Sequence, residues 1–397
     1  MTAVAVAFAA LALAVMAVPV LVLALQVLAA WRAPAARAAE PQSSPRPRAA
    51  VVIPAHNEAT GIGATLSDLL AQRGPLDRVI VVADNCSDDT AAVARRCGAE
   101  VLERHDLTRR GKGHALDHGV RSLQDDPPEV VVFVDADCRL APGALEAIVR
   151  RAARHGRPVQ ALYLMHAPRG AGMRQRIAAF AWIVKNLVRP LGFSRLGLPC
   201  QLMGTGMAFT WPVLSRITLA NSHLTEDMKL GVELALAGHP PMFAPEALVT
   251  SEFPVSSEGE RTQRERWEHG HLDILTRLGP RLLWRGVRRA DVASIGLAAD
   301  LLVPPLTLLM MLVALVSVGV ALVAWVAAVP ALAAVALAML ALFFASIGLA
   351  WWRHGREVVS LGDLLAVPRY ALAKIPMYLR FLVRRQSNWI RTRRHGE

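Results

Sequence analysis

Cysteine and lysine are both scarce in this chain, with four of each in 397 residues. Cys86, Cys97, Cys138 and Cys200 form no CxxC pair and have no paired histidines to complete a ligand set, so structural zinc is not supported. In a cytosolic domain they are expected to stay as reduced thiols. The GxxxxGK[ST] spacing is missing, which disfavours P-loop ATP hydrolysis. No basic patch interleaved with aromatics occurs in the globular part, so the net charge of +12 does not read as a nucleic-acid surface. Charge is also absent from two long runs: Thr2–Ala30 carries none, and roughly fifty residues from Leu301 to Trp352 contain no Lys, Arg, Asp or Glu.

An apolar content of 54% is too high for an ordinary soluble chain of this length, and the excess is localised in those two runs. Residues 1–30 exceed the ~20 needed to cross a bilayer core and lack the basic lead of a cleaved signal, so they are expected to be an anchor. Arg32, Arg37, Arg46 and Arg48 follow, which puts the amino terminus outside and the next domain in the cytosol. Residues 31–48, rich in Ala, Pro, Ser and Arg, read as a linker. Residues 301–352 are long enough for a two-span hairpin turning at Val329-Pro330, and Arg288, Arg289, Arg353 and Arg356 hold both flanks in the cytosol. The expectation is a multi-pass protein of the plasma (inner) membrane. Its tail, 353–397, is basic and amphipathic: Arg380, Arg384, Arg385, Arg391, Arg393 and Arg394 suit anionic headgroups. Leu361–Phe381, with Tyr370 and Tyr378 and then Trp389, is predicted to lie in the interface as a helix interrupted at Pro368 and Pro376. The spans carry almost no polar residues, Asp300 lying at an end, which disfavours a transporter.

Residues 49–290 form the expected globular part. Val130–Val134 is apolar without alternation, as in a strand buried on both faces, and it ends in Asp135 and Asp137. Strand alternation would project both acids to one side at the carboxyl end, where open α/β sheets bind ligands. Two adjacent carboxylates suit a bridging Mg2+ or Mn2+; the other reading is an acidic turn. AAVVIPAHNE predicts a strand over Ala50–Ile53 broken by Pro54, then Asn57 and Glu58 before a helix near Ile62–Ala71. RVIVVADNCSDDT repeats the pattern, with Asp84 at a strand end and Ser87, Asp88 and Asp89 available as caps. Strands alternating with helices predict a parallel, Rossmann-like α/β sheet. Gly111 and Gly113 flank Lys112 at a helix start, which fits either a turn or an anion site. Met173, Ile177, Phe180, Val184 and Leu187 recur at helical spacing, for core packing or for a membrane surface. Thr225 reads as an N-cap, with Glu226 and Asp227 in the first turn and Gly238 as C-cap. On a helix Gln263, Arg266 and Trp267 share a face, an Arg able to grip phosphate beside a Trp able to stack on a sugar.

In this order, VVIPAHNE, Asp84, GKGHAL, DAD at 135–137, TED at 225–227 and QRERW at 263–267 resemble the membrane-bound family-two glycosyltransferases, which include cellulose, hyaluronan and poly-N-acetylglucosamine synthases. The resemblance covers about 51–270 and extends to the flanking membrane segments. It implies a GT-A fold with about three transmembrane helices and inverting transfer from a nucleotide sugar, a UDP-sugar foremost. By the same resemblance Pro54, Glu58 and Asp84 contact the nucleoside, with Lys112 nearby. Asp135 meets the ribose and shares the metal–diphosphate with Asp137, Asp227 beside Glu226 is the catalytic base, and Gln263, Arg266 and Trp267, with Gly204 and Thr205, hold the diphosphate and acceptor. The acceptor it implies is a growing exopolysaccharide or other glycan, with envelope-polysaccharide proteins as partners. Two departures stand out: Met203-Gly204-Thr205 replaces the Cys before Gly-Ser of cellulose synthases, and no FxVTxK-like gating loop is present. Ceramide glucosyltransferases are similar too, which keeps single transfer to a lipid or lipid-linked acceptor as an alternative. An inactive nucleotide-sugar-binding scaffold is a third reading, against which the intact carboxylates at 84, 135, 137 and 227 speak.

Overall fold

The computed structural model describes residues 2–31, 45–168, 170–220, 223, 225–253 and 257–378. The arginine cluster from 380 to 394, Trp389 and most of the expected linker lie outside the described residues. The chain divides into a sheet unit, 45–168 and 199–270, and a helical unit, 2–31, 170–198 and 271–378. The expected globular stretch 49–290 is therefore shared, its segments 170–198 and 271–290 belonging to the helical unit.

Among its described residues the sheet unit holds eight strands: β1 (Ala49–Ala55), β2 (Arg78–Asp84), β3 (Glu100–Arg104), β4 (Val130–Phe133), β5 (Arg139–Leu140), β6 (Val159–His166), β7 (Met207–Thr210) and β8 (Met242–Glu252). Their order is β3-β2-β1-β4-β7-β6-β8-β5. The first four are parallel, as helix–strand alternation predicts. The sheet as a whole is mixed, because β7 runs antiparallel to both β4 and β6. The cause lies in the chain path. No crossover helix of this unit leads into β7; residues 170–198 belong to the other unit, and the chain re-enters the sheet with Met207 opposite Phe133, at the carboxyl end of β4. That entry is what sets residues 203–206 beside the residues that follow β4.

Ala50–Ile53 and Val130–Val134 are fully enclosed, consistent with strands covered on both faces. Each buried Val or Ile contributes about 1.5–3 kcal/mol. Pro54 does not break β1. Pairing with β4 has ended at Val52, so no N–H is required of it on that side, and it still pairs with Val82. The helix Lys112–Arg121 lies against β1 and β2 at Gly119, where a Cβ would come within 2.5 Å of Val52 Cγ1. That close approach fixes the position of Lys112 at the helix start.

In the helical unit Thr2–Trp31, Leu306–Val326 and a third helix starting at Pro330 are long and apolar enough to cross a membrane, with mean hydropathies of 2.8, 2.7 and 2.5. The helix Met173–Ile183 continues through one π-helical turn, Val184–Val188, into Arg189–Arg195. Ile177 is buried, and Phe180, Val184 and Val188 pack in a cluster with Leu23, Val27, Val313 and Phe343, so this amphipathic stretch serves core packing. A buried polar cluster ties the first helix in: Gln26 donates to Asp300 at 2.6 Å, and Arg189 pairs with Asp300 at 2.8 Å. The predicted interfacial helix from Leu361 forms as two short pieces, Leu361–Leu365 and Val367–Leu372, with Pro368 in the first turn of the second, where it needs no N–H partner.

Candidate active site

The acids after β4 are brought together by a turn rather than by strand alternation. The strand ends at Phe133, and Cys138 N–H donates to the Asp135 carbonyl at 3.2 Å, closing a turn over 135–138. Ligand atoms of Asp135, Asp137 and Cys138 then lie within 4.8 Å of one another. Burial, reinforced by the two carboxylates, pushes the Cys138 thiol well up, so it stays protonated and offers little to a hard cation. The carboxylates of Asp135 and Asp137 are the pair that fits a divalent ion.

Around that turn the structure assembles residues far apart in sequence. The Lys112 ammonium forms an ion pair with Asp135 and donates to the Gly204 carbonyl at 2.8 Å. Asp135 N–H donates to Thr205 Oγ1 at 3.0 Å. Gly204 has φ +95°, and a Cβ on it would sit 3.3 Å from Asp227 Oδ2 and 3.7 Å from Lys112 Nζ. Lys112, Asp135, Gly204, Thr205 and Asp227 thus share one site, with Glu226 beside them. Burial opposes the Lys112 charge, but Asp135, Glu226 and Asp227 outweigh it and hold the ammonium above its ordinary range. Glu226 is raised, first by burial and then by Asp227, while Lys112 and Arg266 pull it back. A carboxyl raised by burial and by an adjacent acid is a usual feature of proton-transfer sites.

Thr225 stands at the N-cap position, but its hydroxyl makes no capping bond. The side chain instead packs on Gly270, where an added Cβ would lie 2.3 Å from Thr225 Cγ2. This contact joins the Glu226–Leu236 helix to the helix Ser257–Arg277, which carries Gln263, Arg266 and Trp267. Gln263 is buried, Arg266 and Trp267 are half-buried, and the Arg266 charge acts on Glu226.

Pro54, Glu58 and Asp84 belong to a second cluster, at the carboxyl ends of β1 and β2. Its two loops are stapled together: Asn57 exchanges hydrogen bonds with Ser87 at 2.8 and 3.0 Å, and Glu58 N–H donates to Thr90 Oγ1 at 2.8 Å. Of the expected caps, Asp88 bonds Thr90 N–H, whereas Asp89 makes no capping bond. The Asp84 carboxylate accepts from Arg104 at 2.6 Å, and the same guanidinium donates to the Arg109 carbonyl at 2.7 Å. Arg104 therefore ties Asp84 to the loop that ends in Gly111 and Lys112.

Sequence reading missed Arg104 and, more importantly, Gln160. Gln160 in β6 is fully buried. Its Nε2 donates to the carbonyls of Ala161 and Thr205 at 2.8 and 2.9 Å, and its Oε1 accepts from Met203 N–H at 2.7 Å. It fixes the path of the very loop whose Gly204 and Thr205 hold Lys112 and Asp135. A lone amide in the apolar run VQALYLM was the available signal.

Residues 45–270 match the family model described as glycosyltransferase like family 2. The chain belongs to that family. Over 105 residues this glycosyltransferase-family chain is 38% identical to the 4,4'-diaponeurosporenoate glycosyltransferase of Staphylococcus aureus (strain MRSA252). That match spans 25% of the chain and 27% of the relative, so the chain covers about a quarter of the length of the curated relatives it matches. Among solved structures it resembles a Pyrobaculum calidifontis mannosyltransferase in complex with GDP-Man and Mn2+, at 19% identity and TM-score 0.55, covering 88% of this chain and 99% of that one. A second is a Mycobacterium tuberculosis glucosyl-3-phosphoglycerate synthase in complex with Mn2+, UDP and phosphoglyceric acid, at 22% identity and TM-score 0.39, covering 56% and 78%. The likeness to the mannosyltransferase establishes a GT-A-like fold for the chain, a mixed sheet with flanking helices.

Proposed function

We propose that this protein is a membrane-bound, inverting glycosyltransferase that moves a sugar from a nucleotide-sugar donor, a UDP-sugar foremost, to an acceptor hydroxyl. The observation that carries the reading is the Lys112–Asp135–Gly204–Asp227 cluster, with the helix of Gln263, Arg266 and Trp267 packed alongside. Pro54, Glu58 and Asp84 hold the nucleoside. Asp135 and Asp137 would hold a divalent cation, Mg2+ or Mn2+, which when bound would supply positive charge to the leaving diphosphate. Arg266 adds a second cation there, and Lys112 holds the Asp135 carboxylate in place through their ion pair. Asp227 accepts the proton of the acceptor hydroxyl as its oxygen bonds to the anomeric carbon and the bond to the diphosphate oxygen breaks. Glu226, its carboxyl raised first by burial and then by Asp227, stands beside the base.

Two acceptor classes remain, and two observations favour single transfer to a lipid or lipid-linked acceptor over exopolysaccharide synthesis. The curated relative is named for a single acceptor, 4,4'-diaponeurosporenoate. Among the described residues only three helices are long enough to span, few for a polymer channel. The test is nucleotide release in nanodiscs over a panel of UDP- and GDP-sugars with metal and membrane lipid, with product sizes resolved. A single glycolipid supports this reading and a ladder of long products supports the polymer. Donor binding without nucleotide release across the panel would establish an inactive scaffold instead. Asp227→Asn is expected to abolish transfer while leaving donor binding nearly intact; turnover in that variant refutes the assignment of the base.

A further inference from the structure

The helix Gly279–Arg289, in the helical unit, has three distinct sides. Gly279, Leu282 and Gly286 are buried. Leu283, Trp284 and Val287 stand exposed on an adjoining side, Trp284 at 64% and Val287 at 61%. Arg281, Arg285 and Arg288 follow at i, i+4 and i+7 on the third, with Arg289 at the end. Eleven residues thus carry four arginines, no acid, and an apolar strip left exposed among the described residues.

The Arg288 guanidinium lies over the Trp284 ring, 5.7 Å from its centroid. Three similar pairs occur in the same unit: Lys185 over Trp182, Arg356 over Trp352 and Lys374 over Tyr370. Trp352 and Arg356 lie at the carboxyl end of the third long apolar helix. Tryptophan and tyrosine beside cations at helix ends mark the headgroup level of a bilayer. An apolar strip flanked by arginines along a short helix is the composition of an element lying in that plane. A protein partner for such a face would have to supply both an apolar groove and several carboxylates; an anionic leaflet supplies acyl chains and phosphates at that spacing without further design.

We propose that the helix Gly279–Arg289 is an in-plane membrane anchor, with Leu283, Trp284 and Val287 in the acyl boundary and Arg281, Arg285, Arg288 and Arg289 binding anionic phospholipid headgroups. The proposal rests on the reading of the three long apolar helices as membrane spans. The test uses the full chain in nanodiscs containing phosphatidylcholine or phosphatidylglycerol brominated near the headgroup. Difference spectra against Trp284→Phe isolate the emission of Trp284, and Trp325→Phe does the same for Trp325, which is exposed at the end of the Leu306–Val326 helix. Trp284 is expected to be quenched about twofold more by the anionic lipid. That excess is expected to vanish in Arg281→Gln/Arg285→Gln/Arg289→Gln, which leaves Arg288 over the ring, and at raised salt. Equal quenching by both lipids overturns the headgroup specificity. Quenched Trp325 with unquenched Trp284, whether in monomers or beneath a second copy of the chain, overturns the anchor alone. Loss of quenching at Trp325 as well overturns the spans on which it rests.

Discussion

Replacing Gln160 by leucine removes an amide of zero exposure that makes three hydrogen bonds of 2.7–2.9 Å. The side chains are similar in size, so the change is chiefly the loss of partners. Met203 N–H and the Thr205 carbonyl are left without Gln160, each at about 1–3 kcal/mol, so the stability loss is roughly 2–6 kcal/mol. The larger effect is expected on turnover. The freed segment carries the Gly204 carbonyl that receives Lys112 and the Thr205 hydroxyl that receives Asp135 N–H. A misplacement of about 1 Å at such a site costs about a hundredfold in rate. Nucleotide-release kinetics are measured alongside thermal denaturation, at a temperature where the variant is fully folded. The expected result is kcat down about a hundredfold with a smaller change in donor KM. Gln160→Glu supplies a sign test. It keeps an acceptor for Met203 N–H but turns a carboxylate oxygen toward two carbonyls, so it should be at least as damaging as leucine. Wild-type kcat in folded Gln160→Leu, or a fall no larger than the loss of folded protein, refutes the positioning role.

Three other perturbations test different parts of the molecule. Gly204→Ala forces a side chain into φ +95° and to 3.3 Å from Asp227 Oδ2, and should cost about 1 kcal/mol or more of stability and most of the turnover; an active variant with unchanged melting would contradict the close approach. Asp137→Asn removes one of the two carboxylates available to a divalent ion, so the Mn2+ concentration for half-maximal nucleotide release should rise about tenfold or more, and an unchanged metal curve would exclude Asp137 as a ligand. His271 is buried and donates to the Leu301 carbonyl at 3.0 Å; burial, then Lys185, lower its pKa to about 4, with Arg189 also lowering it and Asp300 opposing. The unfolded chain therefore binds the proton first. The stability from neutral His271 is present in full above about pH 6.5 and is lost as pH falls towards 4, up to about 3 kcal/mol. Melting temperature should fall less between pH 7 and 5 in His271→Phe than in wild type, and parallel curves would refute the assignment.

What the sequence displayed was the set of side chains at strand ends and helix starts. Asp84 closes β2, Asp135 follows β4, and Lys112 and Asp227 stand in the first turns of helices; a buried apolar run that stops at an acid is visible without any tertiary knowledge. The manner of their meeting was not visible. Asp135 and Asp137 were expected to converge by strand alternation, yet a turn closed onto the Asp135 carbonyl brings them together. Parallel order was expected through Val134 and is found there; beyond it β7 enters antiparallel, after residues 170–198 have left the sheet unit. The same reversal makes Gln160 necessary. The loop that enters the sheet antiparallel at the carboxyl end of β4 carries Met203 N–H and the Thr205 carbonyl ahead of the first strand residue, Met207, outside the β7 ladder. An amide on β6, 43 and 45 positions away in sequence, pairs both. Periodicity cannot reveal such a residue, because its partners are fixed only once the sheet has closed. A single polar side chain inside a strand buried on both faces nonetheless implies that the fold supplies it partners, and in this chain those partners carry the candidate active site.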